Sequence, residues 1–265
     1  MYLPFYKYQG TGNDFIIIDD RQGVLGTYTT ELVRQLCKRR LGIGADGFIV
    51  IRTHPGYDFE IIYHNADGSQ SLCGNGCRCA VHLAQQLAII GQEANFLAAD
   101  GPHRAYIRDG LVHLMLKEVT EIKNFQSGYL LHTGSPHYVQ QVTNWKDVNV
   151  RDEGSKIRST PPFHKEGINV NFVQLGKNNQ LFVRTYERGV EDETLSCGTG
   201  VAAAALIAAT KGYTSPVAIR TRGGMLQVSF THKQHHHFQN VCLIGPANMV
   251  FQGEVNKHLV AGQTS

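Results

Sequence analysis

Two cysteines each stand directly before a glycine-rich turn and an alanine-rich apolar segment. The first motif is Cys73-Gly74-Asn75-Gly76 and the second is Cys197-Gly198-Thr199-Gly200. A helix that begins in such a turn has N–H groups without intrahelical partners and the positive end of its dipole there, so it attracts an anion. The same field favours the thiolate of a cysteine at that position and lowers a pKa that is ordinarily about 8.5. Each motif can therefore hold a carboxylate and exchange a proton.

Two thiols of this kind can act on one substrate. If they face each other, one thiolate takes a proton from a carbon while the other thiol returns a proton to the opposite face. This exchange inverts a stereocentre with neither a metal nor pyridoxal phosphate. The sequence thus predicts an enzyme with Cys73 and Cys197 as its catalytic residues and without a cofactor.

The two motifs belong to a longer repeat. Cys73 and Cys197 are 124 residues apart, and Gly10 and Gly134 are separated by the same distance along the chain. Residues 60–65 ahead of the first cysteine also resemble residues 182–187 ahead of the second. Three matches in the same order indicate a duplicated unit. A period this long predicts two similar lobes that face each other across a cleft.

Composition is that of a compact, enzyme-sized protein. Of the 265 residues, 42% are hydrophobic and 18% are charged, which allows a sizeable core. The net charge of +3 is nearly balanced and has no long block of one sign, which argues against nucleic acid or an anionic membrane as a partner. The sequence shows neither a membrane-length apolar segment nor the pattern of a signal peptide, so we expect a cytoplasmic protein.

The other cysteines favour structural roles. In a reducing compartment we expect thiols rather than disulfides. Cys37 falls on an apolar helical stripe that begins after Thr29 or Thr30, and Cys242 lies in an apolar run, so both are predicted to be core residues.

A metal site is the alternative interpretation of the cluster Cys73, Cys77 and Cys79. Zinc sites generally use paired ligands, however, and the second motif offers Cys197 alone. The triplet His235-His236-His237 lies between two strand-like runs and is predicted to be a solvated hairpin loop. The sequence therefore favours thiol chemistry over metal binding and leaves the roles of Cys77 and Cys79 open.

Short strands and few helices must position these residues. Two helices are predicted to begin at the cysteine motifs, over about 76–90 and 200–210, with stops near Gly91 and Gly212. Asp109-Gly110 predicts a two-residue hairpin turn. The predicted strands are 15–19, 48–51, 57–63, 104–107, 111–116, 138–142, 169–175, 181–186, 216–220, 225–230 and 241–244.

Seven motifs, in order, resemble those of the diaminopimelate epimerase family over nearly the whole chain. They are Gln9-Gly10-Thr11-Gly12-Asn13-Asp14-Phe15, Gly42-Ile43-Gly44-Ala45-Asp46-Gly47, Asn65-Ala66-Asp67-Gly68-Ser69, Cys73-Gly74-Asn75-Gly76-Cys77-Arg78-Cys79, Gly134-Ser135-Pro136-His137, Asn169-Val170-Asn171-Phe172, and Glu187-Arg188-Gly189 leading to Cys197-Gly198-Thr199-Gly200. The resemblance implies a cofactor-independent enzyme that interconverts LL- and meso-diaminopimelate for lysine and cell-wall precursor synthesis.

The resemblance also implies roles for single residues. Cys73 and Cys197 match the acid and base thiols, while the backbones of Gly74-Asn75 and Gly198-Thr199 would hold the carboxylate on the reacting carbon. His137 matches a histidine that tunes the thiols. The residues that match those gripping the distal end of the substrate are Asn13, Asn65, Asn169, Glu187 and Arg188.

Residue type alone leaves structural roles open. Asn169 begins a predicted strand, and a single histidine such as His137 is more often a satisfied polar residue than a catalyst. Glu187-Arg188 could also be a surface ion pair. The ordered motifs favour function for Asn13, Asn65, Glu187 and Arg188, and they leave His137 undecided.

Two departures from the family pattern bear on the substrate. Ser135 stands where many family members have asparagine, and the connection from Asn65 to Cys73 is one residue shorter. These differences keep open a related racemase of another amino acid, of histidine or proline type. A non-catalytic protein that binds an amino acid or a metal is a further alternative.

The fold that the resemblance implies is α/β. It has two pseudo-symmetric lobes, each a barrel-like mixed sheet around a central helix. The predicted lobes are 1–118 and 119–249, with a terminal strand at 250–257 that could return to the first lobe. The resemblance implies a small amino acid substrate. It also implies a homodimer, because relatives form homodimers.

Overall fold

The chain forms two compact units in the computed structural model, which describes residues 2–234 and 236–256. The first unit comprises residues 2–114 and 246–256, and the second comprises residues 115–245. The second unit starts earlier than the predicted 119 because Leu116 donates its N–H to Val241 and Val119 pairs with Phe238. His235 and position 257 of the predicted terminal strand lie outside the described residues.

Strands dominate both units. The first unit contains β1 (Tyr2–Gly10), β2 (Asn13–Asp19), α1 (Thr30–Cys37), β3 (Gly47–Arg52), β4 (Phe59–Asn65), α2 (Gly74–Gln86), β5 (Glu93–Ala98), β6 (Gly101–Arg108) and β7 (Leu111–Met115). The second contains β8 (Lys123–Phe125), β9 (Gly128–His132), β10 (Pro136–Gln141), α3 (Val150–Ser159), β11 (Asn169–Leu175), β12 (Gln180–Glu187), β13 (Asp192–Thr194), α4 (Gly198–Ala209), β14 (Val217–Arg220), β15 (Met225–His232) and β16 (Phe238–Gly245). The last strand, β17 (Asn248–Asn256), returns to the first unit and pairs with β1.

The two units repeat one order of strand directions. In the first, β2 runs parallel to β3 and β4 parallel to β5, while the other neighbours are antiparallel. In the second, β10 runs parallel to β11 and β12 parallel to β14, again between antiparallel neighbours. A parallel pair needs a crossover, and each crossover carries a helix: α1 and α2 in the first unit, α3 and α4 in the second. The predicted mixed α/β class is confirmed.

Each cysteine motif supplies the helix that its own sheet surrounds. The segment Val201–Ala209 of α4 is buried on all sides, because alanines let the surrounding strands approach the helix closely. On α2 the buried residues run from Gly74 to Ala84. Both thiols thus stand at the ends of rigid, buried helices.

Several local predictions are tested by these elements. At Asp109-Gly110 both φ angles are positive, at 52° and 73°, and Arg108 pairs with Leu111, which confirms the hairpin turn. Thr29 caps α1, whose buried stripe includes Cys37, as predicted. The predicted end of the first motif helix at 90 is wrong, because α2 stops at Gln86 and Ala88, rather than Gly91, adopts the positive φ. No helix in the described part of the chain has the length and apolarity needed to cross a membrane.

Candidate active site

The first thiol site lies where α2 begins. Cys73 is the half-buried N-cap residue of α2 and has an extended backbone. Its Sγ donates a hydrogen bond to Oδ1 of Asn13, at the start of β2, over 3.4 Å. Nδ2 of Asn75 donates to the same oxygen over 3.3 Å. The structure therefore brings together three residues of the predicted site.

A carboxylate fixes the direction of the Asn13 amide. Nδ2 of Asn13 donates to Oδ2 of Asp46 over 2.8 Å. Because a carboxylate only accepts hydrogen bonds, the amide nitrogen must face Asp46 and the amide oxygen must face Cys73 and Asn75. Asp46 lies within one of the sequence motifs, but residue type alone gave no reason to place it beside the thiol site.

Asp46 belongs to a charged cluster behind Asn13. Arg39 forms ion pairs with Asp46 at 2.9 Å and Asp14 at 2.7 Å, and Lys7 forms one with Asp14 at 2.7 Å. Burial alone would raise the pKa of Asp14, but hydrogen bonds from Arg39 and Lys7 outweigh it and lower the pKa to about 2. The Asp14 carboxylate is therefore ionised at neutral pH.

Asn65 ends β4 and is engaged in the turn that follows. Its Nδ2 donates to Oγ of Ser69 over 3.0 Å, and its Oδ1 accepts from Oγ of Ser71 over 3.2 Å. These contacts stabilise the connection that leads to Cys73.

The second thiol site lies where α4 begins. Cys197 is the buried N-cap residue of α4, and its Sγ is 3.7 Å from Oγ1 of Thr199. Thr199 Oγ1 is in turn 2.9 Å from Nε2 of His137 and 3.1 Å from Oγ of Ser135. Ser135 Oγ is also 2.9 Å from His137 Nε2. A hydroxyl thus connects the thiol with a histidine.

The protonation of His137 follows from its surroundings. Asn171 directs its Oδ1 to the Thr185 hydroxyl at 2.9 Å, and its Nδ2 donates to the carbonyl of Tyr138 over 3.1 Å. The same Nδ2 is 3.0 Å from Nδ1 of His137, so that Nδ1 accepts and Nε2 carries the proton. Burial first, and then the positive charges of nearby side chains, lower the pKa of His137 to about 3. His137 is therefore a neutral donor toward Thr199 and Ser135.

The packing around Asn171 explains a glycine of the motif. A Cβ at Gly200 would overlap Oδ1 of Asn171. Glycine at this position lets the first turn of α4 approach the amide that orients His137. Sequence reasoning missed Asn171, although it lies two residues after the predicted Asn169; its position on a strand beside a histidine was the available signal.

The remaining predicted residues of this unit lie close by, with contacts of their own. Nδ2 of Asn169 donates to Oγ of Ser135 over 3.1 Å, and its Oδ1 accepts the backbone N–H of Arg188 over 2.9 Å. The Arg188 guanidinium donates to the carbonyl of Glu166 over 3.3 Å. Oε2 of Glu187 accepts from Oγ1 of Thr194 over 2.8 Å. Asn169 therefore connects Ser135 with the backbone of Arg188.

Both helix ends direct N–H groups outward. The first helical hydrogen bonds run from Cys77 N–H to the Cys73 carbonyl at 2.8 Å and from Val201 N–H to the Cys197 carbonyl at 3.0 Å. The N–H groups of Gly74 and Asn75 in α2, like those of Gly198 and Thr199 in α4, precede these bonds and point out of the helix. Each thiol thus lies beside a feature that suits a carboxylate.

The other thiols are buried. Burial raises the pKa of Cys37 to about 12, and it also raises the pKa values of Cys77 and Cys79. No disulfide joins any of the six cysteines, all of which lie within the described residues. Within residues 2–234 and 236–256, no group of three or more His, Cys, Asp or Glu side chains is arranged to hold a metal ion.

Proteins of known family match most of this chain. The family model described as diaminopimelate epimerase matches residues 5–115 and 129–250. A diaminopimelate epimerase of Flavobacterium psychrophilum is 45% identical over 254 residues, covering 94% of this chain and 99% of its own length. One from Chlorobaculum tepidum is 39% identical over 258 residues, covering 93% and 98%.

Solved structures share the fold at much lower identity. A phenazine biosynthesis protein of the PhzF family from Bacillus anthracis has a TM-score of 0.75 at 14% identity, covering 97% of this chain and 99% of its own. A probable proline racemase from Agrobacterium radiobacter has a TM-score of 0.70 at 15% identity, covering 96% and 93%. At such identities the likeness concerns the fold alone. The family match and the close relatives go further, and together they show that this chain belongs to the diaminopimelate epimerase family.

Proposed function

We propose that this protein interconverts LL- and meso-diaminopimelate by proton transfer between two cysteines, with no cofactor. The observation that carries the proposal is the pair of N-cap thiols, Cys73 and Cys197, at matching helices of duplicated units. Membership of the diaminopimelate epimerase family supports the substrate. The reaction would serve lysine and cell-wall precursor synthesis.

The chemistry assigns one proton transfer to each thiol. One cysteine, as thiolate, takes the α-proton, and the other, as thiol, protonates the opposite face of the carbon. The substrate α-carboxylate is held by N–H groups of Gly74-Asn75 and Gly198-Thr199, which also stabilise negative charge as the carbanion forms. Reversal of the reaction exchanges the roles of the two cysteines.

His137 tunes the second thiol through Thr199. The imidazole donates from Nε2 toward the Thr199 hydroxyl, whose own proton is then available to the sulfur of Cys197. A hydrogen bond donated to a thiolate stabilises its charged form. This chain of neutral donors supports the ionised state of Cys197 through hydrogen bonds.

The polar residues around the thiols bind the distal amino acid end of the substrate. Arg188 can hold a carboxylate with a bidentate fork, and Glu187 can accept from an ammonium group. The amides of Asn13, Asn65 and Asn169 offer both donors and acceptors. Ser135 is shorter than asparagine and bonds to His137, Thr199 and Asn169, so its hydroxyl supports the site rather than reaching the substrate.

A second copy of the chain is the partner that we propose. Strand β17 exposes three consecutive large apolar side chains, Met249 at 48%, Val250 at 57% and Phe251 at 47%. Burial of such a patch would stabilise a homodimer. We place the enzyme in the cytoplasm, where six cysteines outside disulfides stay reduced.

Exchange in heavy water tests the reaction. LL-diaminopimelate is incubated with the protein in deuterium oxide without added cofactor, and mass spectrometry follows the α-carbons. At low conversion we expect one deuterium in each molecule that has been converted to the meso isomer. Binding without deuterium uptake would instead identify a non-catalytic amino acid binder.

The same assay settles the substrate. Histidine and proline, incubated in parallel, should show no exchange above that of a Cys73→Ala/Cys197→Ala double variant. Exchange on either of them, with none on diaminopimelate, would assign the protein to a racemase of another amino acid.

A further inference from the structure

We propose that Arg78 is a positioning residue of the first thiol site, whose buried positive charge is the fixed countercharge for the thiolate of Cys73. The proposal takes from the proposed function only the assignment of Cys73 as a reacting thiol.

Arg78 is an unusual side chain for the centre of a small unit. It lies on α2 and is 0% exposed. Its Nη2 reaches Oγ1 of Thr11 over 3.4 Å, but Nε and Nη1 have no hydrogen-bond partner in the described residues. A guanidinium keeps its proton in proteins, so a full charge is buried here with little compensation.

Burial of a positive charge is unfavourable unless a negative group compensates the charge. An unpaired buried ion destabilises a fold, and an apolar side chain of similar volume avoids that cost. The second unit shows the apolar solution, because position 202, at the repeat distance from Arg78, is a buried alanine. A charge in α2 alone therefore points to a role at the α2 thiol.

The groups that act on the guanidinium are thiols. Burial lowers the pKa of Arg78, and the Cys79, Cys73 and Cys77 sulfurs are the groups that act in the opposite direction. Cys77 and Cys79 are deeply buried and their pKa values are raised by burial, so they stay protonated. Cys73 is half exposed at a helix N-terminus, which makes it the thiol that can ionise.

Other charged groups around α2 are engaged elsewhere. Tyr8 of β1 contacts Nδ1 of His82 at 3.2 Å, and Oδ1 of Asp100 lies 2.6 Å from Nε2 of His103. The cluster of Lys7, Asp14, Arg39 and Asp46 lies behind Asn13 and pairs internally.

Asn13 and Arg78 influence Cys73 in opposite directions. The amide oxygen of Asn13 can only accept, and it therefore favours the S–H form of Cys73. The positive charge of Arg78 favours the thiolate. The two together keep both forms accessible, which a residue that alternates between acid and base requires.

Arg78 also holds the turn that carries Asn13. Thr11 is β-branched and buried, and it adopts a φ of 53°, a conformation that such residues rarely take. Its hydroxyl donates to the carbonyl of Gly10 over 2.7 Å while it accepts from Arg78. A Cβ at Gly10 would lie 3.3 Å from Nη2 of Arg78, which shows how closely this turn packs on the guanidinium.

Alkylation of single cysteines tests the proposal without substrate. The rates at which iodoacetamide alkylates Cys73 and Cys197 are measured by peptide mass spectrometry. The pH is varied from about 5 to about 10, which includes the ordinary cysteine pKa of about 8.5. In Arg78→Met we expect the Cys73 midpoint to rise by about one pH unit or more, so that alkylation below the midpoint slows about tenfold. Cys197 in the same molecule should keep its profile.

Two variants separate charge from structure. Arg78→Lys keeps the charge and should retain the low Cys73 midpoint, whereas Arg151→Met removes an exposed charge on α3 and should change neither profile. An unchanged Cys73 midpoint in a folded Arg78→Met protein overturns the proposal.

The native protein provides an independent test. Since the second site has no buried arginine at position 202, Cys73 should ionise at a lower pH than Cys197 in the unmodified chain. The opposite order would exclude Arg78 as the dominant influence, even if Arg78→Met did not fold. Because no substrate is used, either result stands apart from the deuterium assay.

Discussion

The two thiol sites share a backbone arrangement and differ in the chemistry around it. The first site contains charged side chains: the buried Arg78 on the same helix as Cys73, and Asp46, which accepts a hydrogen bond from Asn13. Cys197 is surrounded by neutral donors, which connect it through Thr199 to His137. Duplication supplied two helix N-termini of one kind, and side chains then made the proton affinity of each thiol separately adjustable.

The difference suits the proposed reaction, whose substrate and product are diastereomers. A symmetric pair of thiols would present the same proton affinity to both faces of the α-carbon, whereas LL- and meso-diaminopimelate are not mirror images. In the proposed reaction, separate control lets the proton affinity of each thiol match the face of the carbon that it serves. The comparison therefore predicts that corresponding substitutions in the two sites give different effects.

Removal of either thiol should have the largest effect. Cys73→Ala and Cys197→Ala should each abolish epimerisation, with a loss of at least about 10²–10⁴-fold, because each removes one of two proton-transfer groups. The measurement is the rate of LL to meso conversion. Near-normal conversion by either variant would remove the two-base interpretation, and with it the comparison.

Substitution of the residues that orient the site side chains should have the next largest effect. Asn171 orients the ring of His137, and Asp46 orients the amide of Asn13. Asn171→Asp places a carboxylate at 0% exposure beside Nδ1 of His137, so we expect a loss of several kcal/mol in the free energy of unfolding. Asp46→Asn releases the Asn13 amide at the exposed side of the first site, so stability should change by less than about 1 kcal/mol. Denaturant unfolding measures both.

The turnover number of Asp46→Asn shows whether Asp46 acts on the site or is only a surface residue. If Asp46 sets the direction of the Asn13 amide, Asp46→Asn should lower kcat about tenfold, because the amide can then turn its nitrogen toward Cys73. Unaltered kcat, with unaltered alkylation of Cys73, would show that Asn13 keeps its direction by other contacts.

The sequence predicted those features of the fold and the sites that depend on residues close together in the chain. The cysteine motifs and the Asp109-Gly110 turn are local patterns, and they predicted both helix starts and the hairpin. Strand β1 was not predicted, because Pro4 and Lys7 are residue types that are uncommon inside a strand. In the structure β1 pairs with β17 on one side and with β2 on the other, and Lys7 is buried. Helix α3 has only two buried residues and a weakly apolar sequence, so periodicity did not reveal it.

Long-range contacts explain what sequence reasoning missed in the sites. Asp46 is 33 residues from Asn13, and Asn171 is 34 residues from His137. Each contact depends on a parallel strand pair, β2 with β3 or β10 with β11, whose register brings the residues together. The sequence therefore predicted the thiols themselves, but it did not predict Asp46 and Asn171, which orient the side chains beside the thiols.

The neutral character of the second site predicts a pH effect on stability. Since the pKa of His137 is lowered to about 3 from about 6.5, the unfolded chain binds a proton between these values that the folded chain does not. Its contribution is complete above about pH 6.5 and is lost as pH falls toward 3, with a slope of up to about 1.4 kcal/mol per pH unit.

Comparison with a variant isolates this contribution. His137→Gln should show a shallower decline of unfolding free energy between pH 6.5 and about pH 5, above the range in which Asp14, whose pKa is lowered from 3.8 to about 2, begins to contribute. Parallel pH curves for both proteins would show that His137 is protonated in the folded state, contrary to the neutral donor described for Thr199.

The second glycine of each cysteine motif, Gly76 or Gly200, meets different neighbours in the two units. At Gly200 an added Cβ would overlap Oδ1 of Asn171, so Gly200→Ala should destabilise the protein by about 1–3 kcal/mol and displace the amide that orients His137. At Gly76 the nearest atom is Cδ1 of Ile49, at 3.2 Å, the end of a flexible side chain. Gly76→Ala should therefore change stability by less than about 1 kcal/mol, since helix propensity offsets much of the crowding. Thermal unfolding of the two variants checks this order, and equal destabilisation would mean that the two helix starts are packed alike.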